Sequence, residues 1–282
     1  MQLTTVVNFL QLFSESVTSY NTVLNVFSSL KTMSKIKGHV PTDELVFGVN
    51  MFMLGLKRTM GSSTSQKLPV TPLLLSEIHK CVDFSNSFHV CTWAAMLFMF
   101  YTMFRKSNVM PSSATKYDCT KQVARSSIQC EQDSLLVKVK WSKTIQFKDR
   151  VLYVPVSSVP GSILCPVQAY RRLLSMVKTP PDYPAFSYLK HGNVVPLTYS
   201  QFVRQFRLWL TLLEVGDKNL FSSHSFRRGG ATFAFQCGVS PSLIKCQGDW
   251  SSDCYLKYIS LTMADKLVTT RMMADRIGQL HL

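Results

Sequence analysis

The residues whose types and spacing could do chemistry are concentrated between positions 222 and 259. His224 and Arg227 are three positions apart, so a helix that starts near Ser225 would place both on one side of its first turn. That turn also has unpaired backbone N–H groups, and a guanidinium can donate two hydrogen bonds to an anion. The pair therefore indicates a phosphate site. A solvated basic turn remains the alternative, because this spacing is common by accident.

Other chemistries fail on the same segment. Gly229 and Gly230 belong to neither a GxGxxG nor a GKS/T sequence, so they do not indicate a nucleotide loop. We expect them to let a helix approach DNA or a neighbouring helix closely. The serines around His224 lack the GxSxG sequence of a serine hydrolase, and the carboxylates are too scattered to suggest an acid/base pair.

The segment contains HSFRRGGAT, then GDW, then YLKYI. Three further blocks precede it: YTMFRKSNVMP around Arg105, WSKTIQF around Lys143, and LCPVQAYRRLL at 164–174. Together they resemble the tyrosine recombinases of the phage-integrase superfamily, and in particular the eukaryotic mobile-element branch, the Crypton and DIRS-type transposon recombinases. The resemblance covers roughly residues 67–259. Each block is weak by itself, whereas the whole set in this order is specific.

The resemblance implies an enzyme that breaks and rejoins double-stranded DNA with neither a metal ion nor a nucleotide cofactor. A tyrosine oxygen attacks a backbone phosphate, and the covalent 3′-phosphotyrosine conserves the phosphodiester energy for rejoining. The non-bridging oxygens gain charge in the transition state, so without a metal ion cationic side chains must neutralise it. By resemblance these cations are Arg105 and Arg227.

The same resemblance assigns roles to Lys143, His224 and Trp250. Lys143 would be the general acid that protonates the leaving 5′-oxygen, and His224 would accept the proton of the nucleophile. Trp250 stands where the family has histidine or tryptophan; its indole N–H can donate a hydrogen bond but cannot shuttle a proton. A plain surface lysine and a core tryptophan remain the alternatives for Lys143 and Trp250.

Two tyrosines, Tyr255 and Tyr258, are candidates for the nucleophile, five and eight residues after Trp250. Many members of the family have the tyrosine nine residues after this position. In the mobile-element branch the nucleophile is the tyrosine directly before the isoleucine, which here is Tyr258. We therefore predict Tyr258 as the nucleophile and Tyr255 as a packing residue, at i and i+3 of one helix.

The composition agrees with a DNA-binding globular protein. The chain has 282 residues and a formal charge of +15, with 46% apolar and 17% charged residues. Such a chain folds, and its positive surface attracts polyanions without distinguishing DNA, RNA or an acidic membrane. The eight cysteines show no zinc-ligand spacing, so we expect reduced, mostly buried thiols in an intracellular protein. The apolar run at 94–104 is too short to span a bilayer and predicts a buried helix.

Periodicity and turn residues predict the elements that must position these side chains. Helices are expected at 17–33 and 43–60, followed by a polar linker at 61–67. Further helices are expected from Thr71-Pro72, at 92–104 with Arg105 closing it, at 166–177 and at 198–213, with two short ones around Gly238 and Gly248. Alternation at 135–141 and 151–156 predicts one β-hairpin that carries Lys138, Lys140 and Lys143.

We therefore expect an α+β, mainly α, protein with two domains. Residues 1–64 would form a helical core-binding (SAM-like) domain, short enough to suggest an incomplete N-terminus, and residues 65–282 the catalytic domain. By resemblance, four protomers would assemble on DNA in the nucleus. The helix at 263–280 would dock on a neighbouring protomer or, as the alternative, within its own subunit. A degenerate element that binds DNA without cutting it is the main competing function, and a type IB topoisomerase is a third.

Overall fold

The computed structural model describes residues 2–61, 66–142, 144–145 and 150–279. The chain divides into two compact units, Met1–Ser65 and Gln66–Leu282. The predicted domain boundary, between residues 64 and 65, is one residue away from this division.

Three helices form the first unit: α1 (Leu3–Glu15), α2 (Tyr20–Ile36) and α3 (Asp43–Met60). Helix α1 is absent from the prediction, α2 lies three residues further along the chain than expected, and α3 has the predicted bounds. Thr42 caps α3, since its hydroxyl accepts from the Leu45 N–H. The buried core is small and contains the following residues: Val6, Leu10, Val23, Leu45, Val49, Met53 and Leu56.

The second unit is built around one buried helix. Its helices are α4 (Pro72–Lys80), α5 (Ser87–Thr102), α6 (Lys106–Val109), α7 (Pro166–Met176), α8 (Tyr199–Leu212), α9 (Ser223–Gln236), α10 (Pro241–Gln247) and α11 (Met263–Gly278). Helix α5 is apolar on all sides and packs against both α7 and α9. Among the described helices, none is both long enough and apolar enough to cross a membrane.

The ends of α5 differ from the prediction, and the difference decides where Arg105 lies. The helix begins at Ser87 because Asn86 caps it, accepting from the N–H groups of Phe88 and His89. It ends at Thr102 because Met103 adopts a left-handed conformation with φ 54°. Arg105 therefore does not close α5; it is the N-terminal cap residue of the short helix α6.

Two small antiparallel sheets complete the second unit. Strands β1 (Ile128–Cys130), β2 (Ser134–Val139) and β3 (Leu152–Ser157) form one sheet in that order, with Val137 opposite Val154. The predicted hairpin corresponds to β2–β3. Strand β1, the third strand of this sheet, was not predicted. A second hairpin, β4 (Ser187–Lys190) and β5 (Asn193–Pro196), was also missed. Its turn contains His191 and Gly192, both at positive φ.

The predicted fold class, α+β and mainly α, is confirmed: the protein is 56% helical with a small antiparallel sheet. The prediction that the cysteines are mostly buried is wrong. All eight are free thiols, but only Cys91 and Cys165 are buried. Four are exposed, namely Cys119, Cys237, Cys246 and Cys254.

Candidate active site

Helix α9 carries His224 and Arg227 and is seated unusually close to its neighbours. Ser222 caps it, accepting from the His224 N–H, while Ser225 returns a bond to the Ser222 N–H. A Cβ atom at Gly229 would lie 1.9 Å from the Val70 carbonyl oxygen. One at Gly230 would lie 2.1 Å from the Phe100 carbonyl oxygen on α5. Close approach to a neighbouring helix was one of the two predictions for this pair, and the glycines make it possible.

Arg227 is the centre of the site. Its side chain is 1% exposed. The Nη1 atom donates to the Met103 carbonyl oxygen and to the Gly248 carbonyl oxygen, the latter at 2.7 Å. Nε and Nη2 are buried and have no hydrogen-bond partner among the described residues. By this geometry, two nitrogens of the guanidinium keep unused hydrogen-bonding capacity in the described chain.

Trp250 and Tyr258 pack against the guanidinium of Arg227. The Arg227 Cζ atom lies 3.6 Å from the Trp250 ring centroid and 5.3 Å from that of Tyr258. The two rings are 5.4 Å apart. Trp250 is 5% exposed, and its Nε1 has no partner in the described part of the chain. The structure thus places Trp250 in the core, as its alternative interpretation held, and also in direct contact with Arg227.

The two candidate tyrosines lie three residues apart on one helix, as expected, and this helix is a 3₁₀-helix, Asp253–Tyr258. In a 3₁₀-helix side chains three residues apart point to the same side. Tyr255 is buried against Trp250, with ring centroids 6.1 Å apart. Tyr258 is only half-buried and lies beside Arg227, and its carbonyl oxygen accepts from the Thr232 hydroxyl. Tyr258 is therefore the candidate tyrosine that lies next to the buried guanidinium of Arg227.

Arg105 and His224 belong to the same electrostatic environment. Arg105 and Arg227 line one small cavity. Burial lowers the pKa of Arg227 to about 9, and the positive charge of Arg105 contributes. Loss of water around the imidazole lowers the pKa of His224, and so do the charges of Arg227, Lys106 and Arg105. At neutral pH His224 is therefore mainly neutral and able to accept a proton.

Lys143 lies outside the described residues, so the structure does not place it. Its basic neighbours Lys138 and Lys140 are exposed on and after β2. The end of this hairpin is held on the site side, because Asn108 of α6 donates from Nδ2 to the Trp141 carbonyl oxygen at 2.9 Å.

The sequence analysis missed two residues at this site, Lys106 and Asp249. Lys106 follows Arg105, lies 3.5 Å from the Tyr199 ring centroid, and its charge acts on His224. Asp249 is buried and accepts from Ser142, Thr144 and Arg150. A signal for Asp249 was available: it is an acidic residue inside the GDW block of a chain with a charge of +15.

Together these residues bring two guanidinium groups, a neutral imidazole and a tyrosine hydroxyl group into one region of the second unit. Two arginines supply positive charge, His224 is neutral, and Tyr258 presents a hydroxyl group. Among the described residues no three histidine, cysteine, aspartate or glutamate side chains come together as metal ligands would. Such an arrangement can bind a phosphodiester and neutralise charge that develops on it.

Comparison of the sequence with protein-family models and with curated proteins finds no match. Solved structures do match. The Tn1549 transposon integrase in complex with circular intermediate DNA superposes with a TM-score of 0.60 at 15% identity, over 96% of this chain and 85% of that one. The XerH site-specific recombinase, bound to palindromic difH substrate in a post-cleavage complex, gives 0.61 at 12% identity, over 97% and 72%. XerA recombinase gives 0.52 at 14% identity, over 89% and 82%. The chain has the tyrosine-recombinase fold.

Proposed function

We propose that this protein cleaves and rejoins double-stranded DNA through a 3′-phosphotyrosine intermediate, in site-specific recombination or in integration of a mobile element. The observation that carries the proposal is the buried guanidinium of Arg227, which lies beside Tyr258 and has two nitrogens without a hydrogen-bond partner in the described part of the chain. The matching fold agrees with it, since a transposon integrase and XerH have this fold in complexes with DNA.

In the proposed reaction the Tyr258 oxygen attacks the phosphorus atom and the bond from phosphorus to the 5′-oxygen breaks. The tyrosine proton passes to His224, which is neutral at pH 7 because its pKa is lowered. The 5′-oxygen takes a proton from Lys143 and leaves as a free hydroxyl. Arg105 and Arg227 stabilise the charge on the non-bridging oxygens. Rejoining is the reverse of these steps, with another 5′-hydroxyl as the nucleophile, and we propose that no metal ion takes part.

The remaining positive charge would hold the flanking duplex. Lys138 and Lys140 are exposed, and Arg228 is half-buried with its Nε bonded to the Ser260 hydroxyl at 2.7 Å. Contacts from such residues to phosphates release counterions, so affinity should fall steeply with salt. We expect the double substitution Lys138→Ala/Lys140→Ala to reduce the slope of log K against log [salt] by about 1–2. Fluorescence anisotropy at several salt concentrations measures the slope. An unchanged slope would mean that Lys138 and Lys140 do not contact the duplex.

We also propose assembly of four protomers on DNA, in which α11 of one protomer docks on the next. The apolar side chains of α11 are exposed, including Met263, Leu267 and Ile277. An apolar groove of about 530 Å³ lies between β3, α9 and α10, and its lining includes Phe100, Tyr153, Phe233, Val239, Leu243 and Ile244. Size-exclusion chromatography with and without DNA should show loss of assembly when residues after Met263 are deleted. Unchanged assembly would refute this docking.

An origin in the Crypton or DIRS-type branch, and with it a nuclear location, completes the proposal. The origin rests on the resemblance of the HSFRRGGAT, GDW and YLKYI blocks, and the nuclear location is inferred from the DNA substrate. Fluorescence microscopy of the tagged chain in a eukaryotic cell would test the location, and exclusion from the nucleus would contradict it.

The decisive experiment uses nicked suicide duplexes with randomised half-sites, because the target sequence is not known in advance. Adducts that survive denaturing detergent are collected, and their DNA is sequenced. We expect adducts with the wild type and with Tyr255→Phe, and none with Tyr258→Phe. Adducts with Tyr258→Phe but none with Tyr255→Phe would reverse the assignment. Specific DNA binding with no adduct from any variant would favour a protein that binds DNA without cutting it.

A further inference from the structure

Asp249 is a buried carboxylate with three side-chain donors. Its side chain is 5% exposed. One oxygen, Oδ2, accepts from the hydroxyl groups of Ser142 and Thr144, and the other, Oδ1, accepts from Arg150 Nη2 at 2.7 Å. An ionised carboxylate withdrawn from water is stable only when such partners satisfy its oxygens. The three contacts are therefore what keeps Asp249 in this place.

The donors lie at both ends of the connection between β2 and β3. Ser142 and Thr144 follow β2, whereas Arg150 precedes β3. After β2, the Thr144 N–H donates to the Ser142 hydroxyl oxygen at 3.1 Å, and Ile145 pairs with Ser142 in an isolated β-bridge. Lys143 is the residue between Ser142 and Thr144 in sequence; only this position is used, since Lys143 itself lies outside the described residues. Both sequence neighbours of Lys143 are thus tied to one carboxylate.

Asp249 is the middle residue of a turn at 248–250, and both of its neighbours in this turn contact Arg227. The Gly248 carbonyl oxygen accepts from Arg227 Nη1 at 2.7 Å, and the ring of Trp250 stacks on the guanidinium. Asp249 itself has a φ of 53°, a left-handed conformation that is unfavourable for most side chains and that asparagine and aspartate tolerate best after glycine. An aspartate with three donors at a strained position indicates a role for its carboxylate. One three-residue turn therefore links the buried arginine to the two residues that flank Lys143.

We propose that Asp249 is a positioning residue that fixes Ser142 and Thr144, the two sequence neighbours of the general acid Lys143, relative to Arg227. This inference rests on the proposed function, because it assumes that Lys143 protonates the leaving 5′-oxygen. Asp249 makes no hydrogen bond to Arg105, His224, Arg227 or Tyr258 in the described part of the chain, so it acts through Ser142 and Thr144. Its loss should impair protonation of the leaving group and leave attack by Tyr258 intact.

The test compares two leaving groups in single-turnover cleavage. An ordinary duplex loses a 5′-alkoxide, which needs a proton, while a duplex with sulfur at the bridging 5′ position loses a thiolate, which does not, because thiols have pKa values of ~8.5. Asp249→Gly removes the carboxylate and suits the positive φ. We expect it to slow cleavage of the oxygen substrate by about 100-fold, as displacement of a catalytic group by ~1 Å does. With the sulfur substrate we expect the rate to stay within about 3-fold of wild type.

Matched variants separate this role from general effects on folding or charge. Ser142→Ala combined with Thr144→Val should show the same rescue by sulfur, whereas Tyr258→Phe should fail with both substrates. Asp253→Asn removes an exposed carboxylate four residues away, one that pairs with Lys245 at 2.9 Å, and it should cleave both substrates as the wild type does. If Asp249→Gly slows both substrates equally, or neither, the inference is wrong.

A second measurement keeps the inference testable if the wild type forms no adduct and the proposed function fails. Amide hydrogen exchange in the folded protein, followed by NMR without DNA, reports on the turn directly. We expect Asp249→Gly to accelerate exchange of the Thr144 and Ile145 amides by at least about 10-fold, because the hydroxyl and carbonyl groups of Ser142 that accept from them are no longer held. Asp253→Asn should leave both rates unchanged. If Asp249→Gly left both exchange rates unchanged, Asp249 would not hold Ser142 and Thr144 in place, and the inference would be wrong.

Discussion

The regions around Arg227 and Arg125 are alike in burial and in having unpaired guanidinium nitrogens in the described chain, and they differ in the residues that surround the guanidinium. Arg227 is 1% exposed and Arg125 is 9% exposed. Each has two side-chain nitrogens without a partner in the described chain. Arg125 contacts the Val177 carbonyl oxygen at 3.4 Å and the Tyr170 ring, whose centroid is 5.7 Å away. Arg227 instead shares its surroundings with Arg105, His224, Trp250 and Tyr258.

Burial of a guanidinium therefore does not by itself distinguish the two regions. Around Arg125 the neighbouring hydroxyl belongs to the buried Tyr170, whose pKa burial raises to about 12. Around Arg227 there are a second cation, a neutral base and a half-exposed tyrosine. What distinguishes the two regions is the set of companions that meet at Arg227, and four predictions test this difference.

The largest expected effect is on cleavage. Arg227→Lys replaces a two-donor fork by a point charge, so we expect the rate of adduct formation to fall by about 10²–10³-fold. Arg125→Lys should cleave within about 3-fold of wild type, because no reacting group lies near it. Suicide substrates at saturating DNA measure both rates. A similar loss in the two variants would remove the distinction between the regions.

The next effect is on the position of Arg227. Gly230→Ala would put a Cβ atom 2.1 Å from the Phe100 carbonyl oxygen, which is backbone and cannot rotate away. We expect the free energy of unfolding to fall by about 1–3 kcal/mol, as for other overpacked sites. Gly216→Ala is the control, because a Cβ atom there meets open space. Urea unfolding measures both, and equal stabilities would contradict the close packing of α9 on α5.

The pH dependence of cleavage should have an acidic limb of about tenfold per pH unit. Burial and the charges of Arg227, Lys106 and Arg105 lower the pKa of His224 below 6.5, so kcat/KM rises with pH until the pH passes this lowered pKa and His224 is in its base form. Second-order rates of adduct formation between pH 5 and 10 measure the profile. A rate that is already falling as the pH rises from 5 would count against His224 as the base.

The smallest effect concerns stability at Arg125. Arg125→Met keeps the length of the side chain and removes a charge with two unpaired nitrogens. We expect the free energy of unfolding to stay constant or to rise by about 1 kcal/mol, because replacing a poorly paired buried charge by an apolar group is often neutral or stabilising. Thermal or urea unfolding tests this. If the free energy of unfolding fell by more than about 2 kcal/mol, Arg125 would make stabilising interactions beyond its contacts with Val177 and Tyr170.

Local signals in the sequence explain most of the correctly predicted elements. Thr71-Pro72 starts α4, and the Thr198 capping box starts α8, because each satisfies backbone groups within a few residues. The alternation of apolar and basic residues at 135–141 and the β-rich run at 151–156 predicted β2–β3, because successive side chains of a strand point to opposite faces. Strands β1, β4 and β5 were missed because they have only 3, 4 and 4 residues. Helix α1 has 13 residues and was also missed; it buries Val6 and Leu10 in the core of the first unit.

By itself, the sequence determined the net charge and the mainly helical fold class. It also predicted the site residues, which are Arg105, Lys143, His224, Arg227, Trp250 and Tyr258. Residue types and short spacings express these properties directly. Only the tertiary structure decided that Arg227 is buried with two nitrogens unpaired in the described chain, that Trp250 stacks on it, and that Tyr258 and not Tyr255 lies beside it. It alone joined Asp249 to Ser142, 107 residues away in the chain. Burial and such contacts depend on which distant segments pack together, and no local pattern of residues encodes that.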